Sequence, residues 1–139
     1  MPVDLVDIRA GDLFAQGFPA LAHGVTCVGV MDHGFRVRWP AMYDRYRARC
    51  RAGMLRLGGL MSWKAPDGLI VYNLVVAQRA GTPPDLTALR SALAAALDDA
   101  ERREIRSIGL PQFGDWDVVG PVVREVAAGS SVRIVVMRS

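Results

Sequence analysis

Near the middle of the chain, Leu69 to Val76 reads Leu-Ile-Val-Tyr-Asn-Leu-Val-Val. The run is almost continuously apolar, with no alternation, as expected of a central strand buried on both faces. A strand of that kind requires cover above and below, and the flanking sequence supplies it. Upstream, Leu60 to Ala65 is a strand candidate, joined to the Leu69 to Ala77 candidate by Pro66-Asp67-Gly68. That triplet favours a turn, because proline presets φ, aspartate bonds its own backbone and glycine tolerates positive φ. Downstream, Thr82-Pro83-Pro84-Asp85 ends a loop and caps a helix. Leu86, Leu89, Leu93 and Leu97 form its buried stripe, and Asp98 to Arg103 its charged exit.

The remaining segments extend the alternation. Val3 to Arg9 and Leu21 to Cys27 read as strands, with a short loop or one helical turn around Gly17 and Pro19. From Arg36 to Arg51, the residues Trp39, Tyr43, Tyr46 and Cys50 recur at helical spacing, with arginines opposite. Pro40 belongs in the first turn of that helix, and Gly53 stops it. Ser107 to Leu110 is a short strand, Asp117 to Ala127 a helix with Pro121 in its early turns, and Val132 to Met137 a last strand. Alternating strands and helices, with no repeat or linker, imply one α/β domain over residues 1–139, a three-layer α/β/α sandwich. The first two strand candidates are separated by little helix, so a mixed central sheet is expected.

Composition narrows the partners. No apolar run reaches the roughly 18 residues that span a bilayer, so no membrane partner is expected. The start, Met-Pro-Val-Asp-Leu-Val-Asp, lacks the basic and apolar regions of a signal peptide, which gives a cytoplasmic expectation. Cys27 and Cys50 have no metal or redox spacing and read as small buried hydrophobes. With only His23 and His33 beside them, a zinc site is not expected, nor is any other metal or cofactor. Of the 17 basic residues, all but Lys64 are arginine. Arg36, Arg38, Arg45, Arg47, Arg49, Arg51 and Arg56 make one region locally basic. We read it as a solvated helix face in preference to a surface for nucleic acid or another polyanion.

The stretch Ala22 to Phe35 is the functional candidate. A short apolar run breaks into a loop spaced by Gly29 and Gly34, and a helical pattern follows. In an open α/β sheet, anionic ligands settle where a buried strand gives way to a helix N-terminus. The spacing fits neither G-x-G-x-x-G nor the P-loop signature.

Six stretches together resemble a macro domain, the ADP-ribose-binding α/β/α fold. They are Gly11-Asp12-Leu13-Phe14, Leu21-Ala22-His23, Met31-x-x-Gly34, Pro40-x-Met42-Tyr43, Pro111-x-x-Gly114 and Asp115-Trp116-x-x-Val119-x-Pro121. The closest resemblance is to the subgroup of the terminal ADP-ribose protein glycohydrolase and the antitoxin domains that remove ADP-ribose from DNA. It implies an adenine contact from the Asp12 carboxylate and the Leu13 N–H. It further implies a first ligand loop around the diphosphate and distal ribose, involving Thr26, Gly29, Val30, Met31, Gly34 and Phe35. Pro111, Gln112, Phe113 and Gly114 complete the expected contacts.

The chain departs from the family in three places. Asp32 and His33 stand in the first loop where small residues are usual, and bring titratable groups there. The family's catalytic lysine falls at about Ala77, so a covalent lysine route is closed, and Lys64 lies on another strand. Gly114 runs straight into Asp115-Trp116, so the second glycine-rich loop is missing. Asp115 is either a catalytic group in the vacated space or an N-terminal helix cap. The expected activity is lysine-independent removal of ADP-ribose from acidic side chains or nucleic acid, with Asp32, His33 and Asp115 as catalytic candidates. The alternative is a non-catalytic module that binds ADP-ribose or a related nucleotide.

Overall fold

In the computed structural model, which describes residues 5–139, six strands form one sheet covered by helices on both faces. The elements run β1 (Val6–Ala10), a 3-10 turn (Leu13–Ala15), β2 (Ala20–Thr26), α1 (His33–Arg38), α2 (Pro40–Arg51) and β3 (Leu60–Lys64). They continue with β4 (Ile70–Ala77), α3 (Leu86–Arg102), β5 (Ser107–Pro111), α4 (Trp116–Ala127) and β6 (Arg133–Arg138). Val3 and Asp4, the start of the expected first strand, lie outside the described residues.

The strand order is β1-β6-β5-β2-β4-β3. Every pairing is parallel except that of β3 with β4. The sheet is therefore mixed, as expected, but for a different reason. β1 and β2 are not neighbours; the antiparallel pair is the hairpin around Pro66-Asp67-Gly68, where Gly68 takes φ +96°.

All eight residues of β4 are buried, and its alternate side chains enter two separate cores. Ile70, Tyr72, Leu74 and Val76 face α3 and α4. The α3 stripe mixes leucine with Ala88, Ala92, Ala96 and Ala100, small residues that let the helix lie close to the sheet. Asp85 caps α3 by accepting the Ala88 N–H at 2.8 Å, and the Tyr72 hydroxyl ties β4 to the helix by donating to Asp99 at 2.6 Å. On the other face, Val71 and Val75 pack with Phe35, Met42 and Tyr46 from α1 and α2.

The helix expected to start at Pro40 does so, and a second, shorter helix precedes it. Trp39, the residue before Pro40, takes φ −130° and ψ 72°, away from the helical region that a following proline disfavours. Pro40 then opens α2 as expected. The six-residue α1 was not anticipated; it begins at His33, inside the stretch read as loop.

The arginines of α1 and α2 make no ion pair among the described residues. Arg36 and Arg47 lie over the Tyr43 ring at 5.3 and 5.6 Å, and Arg38 over Phe14 at 4.3 Å. Such contacts hold the stems against the surface while the charges stay hydrated. Negligible binding to double-stranded DNA is therefore expected at physiological salt. A gel shift at micromolar protein that weakens steeply with added salt would show instead a phosphate-binding face.

Candidate functional site

All five parallel strands end at one edge of the sheet, at Ala10, Thr26, Ala77, Pro111 and Arg138. β2 and β5 are neighbours there, yet their onward connections diverge. The chain leaves β2 through α1 and α2 on one face, and leaves β5 through α4 on the other. A crevice opens at such a switch point. It has two lobes, of about 280 Å³ and about 200 Å³, that meet at Asp32. The larger is lined by Asp12, Leu13, Phe14, Phe35, Pro111, Gln112 and Arg138. The smaller is lined by Thr26, Val30, Ala77, Arg79, Pro84 and Phe113. A broader hollow of about 630 Å³, between Phe18, Trp39 and Leu69, lies at the amino ends of β2 and β4. Its size exceeds that of the crevice, but no carboxyl end of a parallel strand opens into it.

Asp12 follows β1 and caps the 3-10 turn, its Oδ1 accepting the Phe14 N–H at 2.9 Å. Its Oδ2 has no hydrogen-bond partner among the described residues. Leu13 opens the turn, where a backbone N–H has no carbonyl one turn back to bond. The larger lobe thus presents an acceptor and a donor on adjacent residues.

The loop after β2 is tied to itself. Thr26 Oγ1 accepts the N–H groups of Val28 and Val30 at 3.3 and 3.1 Å. The buried Tyr46 hydroxyl lies 2.5 Å from the Thr26 carbonyl and 3.1 Å from that of Val30. Burial pushes its pKa up to about 12, so it remains a donor. Gly29 supplies the positive φ, +97°, that the turn requires, while Met31 is buried in the core. Neither lines a lobe.

Asp32 and His33 are adjacent but go separate ways. Asp32 caps α1, its Oδ2 accepting the Gly34 N–H at 3.0 Å, and its side chain faces both lobes. His33 is exposed, its Nδ1 3.4 Å from an Arg36 guanidinium nitrogen, and lines neither lobe. Gly34 lies behind them, where a Cβ would come 3.2 Å from the Phe14 ring. Asp115 also lines neither lobe; it caps α4 by accepting the Asp117 N–H at 3.1 Å. Gly114, at φ +62°, packs beneath Pro84, and the chain enters α4 directly. Lys64 pairs with Ile70, at the amino end of β4, whereas Ala77 marks its carboxyl end in the smaller lobe.

One residue behind the crevice, part of the Leu21-Ala22-His23 stretch, has no role of its own in the sequence reading. His23 is 1% exposed and stacks on Phe35 at 3.7 Å, with 10° between the planes. Its Nε2 lies 2.6 Å from Asn73 Oδ1. The Asn73 amide donates to the Met61 carbonyl at 3.0 Å, so Oδ1 is the acceptor and the histidine proton resides on Nε2. Nδ1 is buried without a partner. Burial depresses the His23 pKa to about 4, against the opposing pull of Asn73 and the Asp32 charge. The neutral ring is therefore a fixed support for Phe35, which lines the larger lobe.

No protein-family model matches the sequence, and comparison with curated proteins finds no relative. Solved structures do match, over nearly the whole chain, and the fold is that of a macrodomain. The macrodomain of Mycobacterium tuberculosis DarG has a TM-score of 0.83 at 23% identity, covering 95% of this chain and 96% of that one. The macrodomain of Thermus aquaticus DarG gives 0.81 at 20% identity, covering 96% and 97%. Thermosipho africanus DarTG in complex with ADP-ribose gives 0.77 at 18% identity, over 96% of this chain and 42% of that one. At these identities the likeness establishes the architecture, while the chemistry must be argued from the site.

Proposed function

We propose that this chain binds ADP-ribose along the crevice, adenine in the larger lobe and distal ribose in the smaller. The observation that carries it is the pairing of an unpartnered Asp12 Oδ2 with the open Leu13 N–H at the end of β1. That pair matches the amino donor and ring-nitrogen acceptor of adenine. A solved structure of the same fold, DarTG, is described in complex with ADP-ribose, which supports the same ligand here. Asp12→Ala is expected to weaken ADP-ribose binding by about 1–3 kcal/mol, the cost of losing a charged hydrogen bond. Calorimetry is the test: no saturation of the wild type at millimolar ADP-ribose removes the ligand, and equal affinity in the variant removes only Asp12.

A second function, hydrolysis, is favoured by one observation: of the three catalytic candidates, Asp32 alone lines the crevice, and it faces both lobes. ADP-ribose joined to a carboxylate is an ester at the anomeric carbon of the distal ribose. Asp32 takes a proton from water, the water oxygen bonds to the anomeric carbon, and the carrier carboxylate leaves with the bonding pair. His33 and Asp115 have no part in this scheme, because neither lines the crevice. No lysine is required, and Lys64 is at the far end of the sheet.

A further inference from the structure

The helices that follow β2 and β5 each have one N-terminal N–H taken by their own aspartate cap. Asp32 takes the Gly34 N–H of α1, and Asp115 takes the Asp117 N–H of α4. Each cap also places a negative charge where a phosphate would otherwise meet the helix dipole. The loop between β2 and α1 spends its Val28 and Val30 N–H groups on Thr26. Four backbone donors near the crevice are thus spent on the chain itself, and a cationic side chain would add to what the remaining N–H groups offer a diphosphate.

The smaller lobe contains one cationic side chain, Arg79, on the loop after β4. Arg79 makes no ion pair with any carboxylate among the described residues. Its loop is pinned by the Thr82 hydroxyl, which donates to the Arg79 carbonyl at 2.6 Å. Asp32, the small Ala77 and Phe113 line the same lobe. A guanidinium with five donors and no acid partner, held at the edge of a cleft, suits a phosphate oxygen pair.

Resting on the ADP-ribose assignment above, we propose that Arg79 receives the diphosphate, and so makes the crevice select ADP-ribose over the plain nucleoside. The contact adds a side-chain cation to a crevice where several backbone donors are already bonded.

Calorimetry with two probes, ADP-ribose and adenosine, tests this on the wild type, Arg79→Ala and Arg79→Lys. Arg79 is exposed and makes no side-chain contact that folding depends on, so both variants should fold. ADP-ribose affinity should fall at least about tenfold in Arg79→Ala, the worth of a charged hydrogen bond. Arg79→Lys should lie between the two, and adenosine affinity should be the same in all three. The dependence of ADP-ribose affinity on salt should also flatten in Arg79→Ala. Unchanged ADP-ribose affinity in Arg79→Ala, or equal losses for both probes, would overturn the assignment. So would an Arg79→Lys as weak as Arg79→Ala. A wild type that binds adenosine as tightly as ADP-ribose would overturn it while leaving the Asp12 site intact. If the wild type binds neither probe, the ADP-ribose function fails as well.

Discussion

Asp32→Asn is expected to slow release of ADP-ribose from a modified carrier by about 10²–10⁴-fold, the usual cost of removing a general base. Asparagine caps a helix about as well as aspartate, so α1 should keep its start and the crevice its shape. Binding of free ADP-ribose should therefore be retained, and would tighten if the Asp32 charge opposes the diphosphate. A rate loss with affinity kept places the residue in the chemical step. Lys64→Ala and His33→Ala should turn over like the wild type. Mass spectrometry of released ADP-ribose, with protein-linked and DNA-linked substrates in parallel, provides the measurement. If the wild type releases nothing from either, the chain is a binding module; a normal rate in Asp32→Asn leaves the water to be positioned by the substrate.

The second large effect is on stability in acid. His23 has its pKa lowered from 6.5 to about 4 in the folded protein, chiefly by burial. Between those values the unfolded chain binds the proton and the folded one does not. Stability from this group is therefore complete above pH 6.5 and is lost as the pH falls towards 4, by about 3 kcal/mol in all. Protonation would also place a charge in the stack with Phe35, so the larger lobe should loosen over the same window. His23→Gln keeps a donor for Asn73 but does not titrate. Denaturant unfolding at several pH values should show the wild type losing about 3 kcal/mol more than the variant across this range. The same pH profile for both would mean that His23 is not held neutral.

The layers of this fold were legible because burial on both faces leaves a plain mark, as Leu69 to Val76 shows. The stripe of α3 was equally open, being periodic over four turns. Sheet order was not: β1 and β2 look like neighbours in sequence, but β6 and β5 lie between them. Missing α1 had a local cause. Six residues do not establish a period, and the glycine at position 34 argued for a loop. That helix start also decided the site, since it turns Asp32 into the crevice and His33 out of it. The role of His23 depends on Asn73, 50 residues away, and no local pattern connects them. Asp12 was singled out only by the resemblance of Gly11-Asp12-Leu13-Phe14 to the family, since an aspartate after a strand is otherwise an ordinary turn former. Arg79 belongs to no motif in the sequence, and its setting in the smaller lobe emerged with the fold.

The capping of α1 and α4 by aspartates has a consequence for how the crevice behaves in a crowded solution. An uncapped helix end is a general anion trap, and would be occupied by whatever free phosphate or sulfate surrounds it. Here such ions meet carboxylates at both helix ends, and a lone exposed guanidinium holds a small anion only weakly. In the proposed binding mode, a ligand must bring its adenine to Asp12 before its phosphates gain much. The crevice is thereby kept free of the commonest competitors, and its affinity for ADP-ribose should be insensitive to inorganic phosphate beyond the effect of ionic strength.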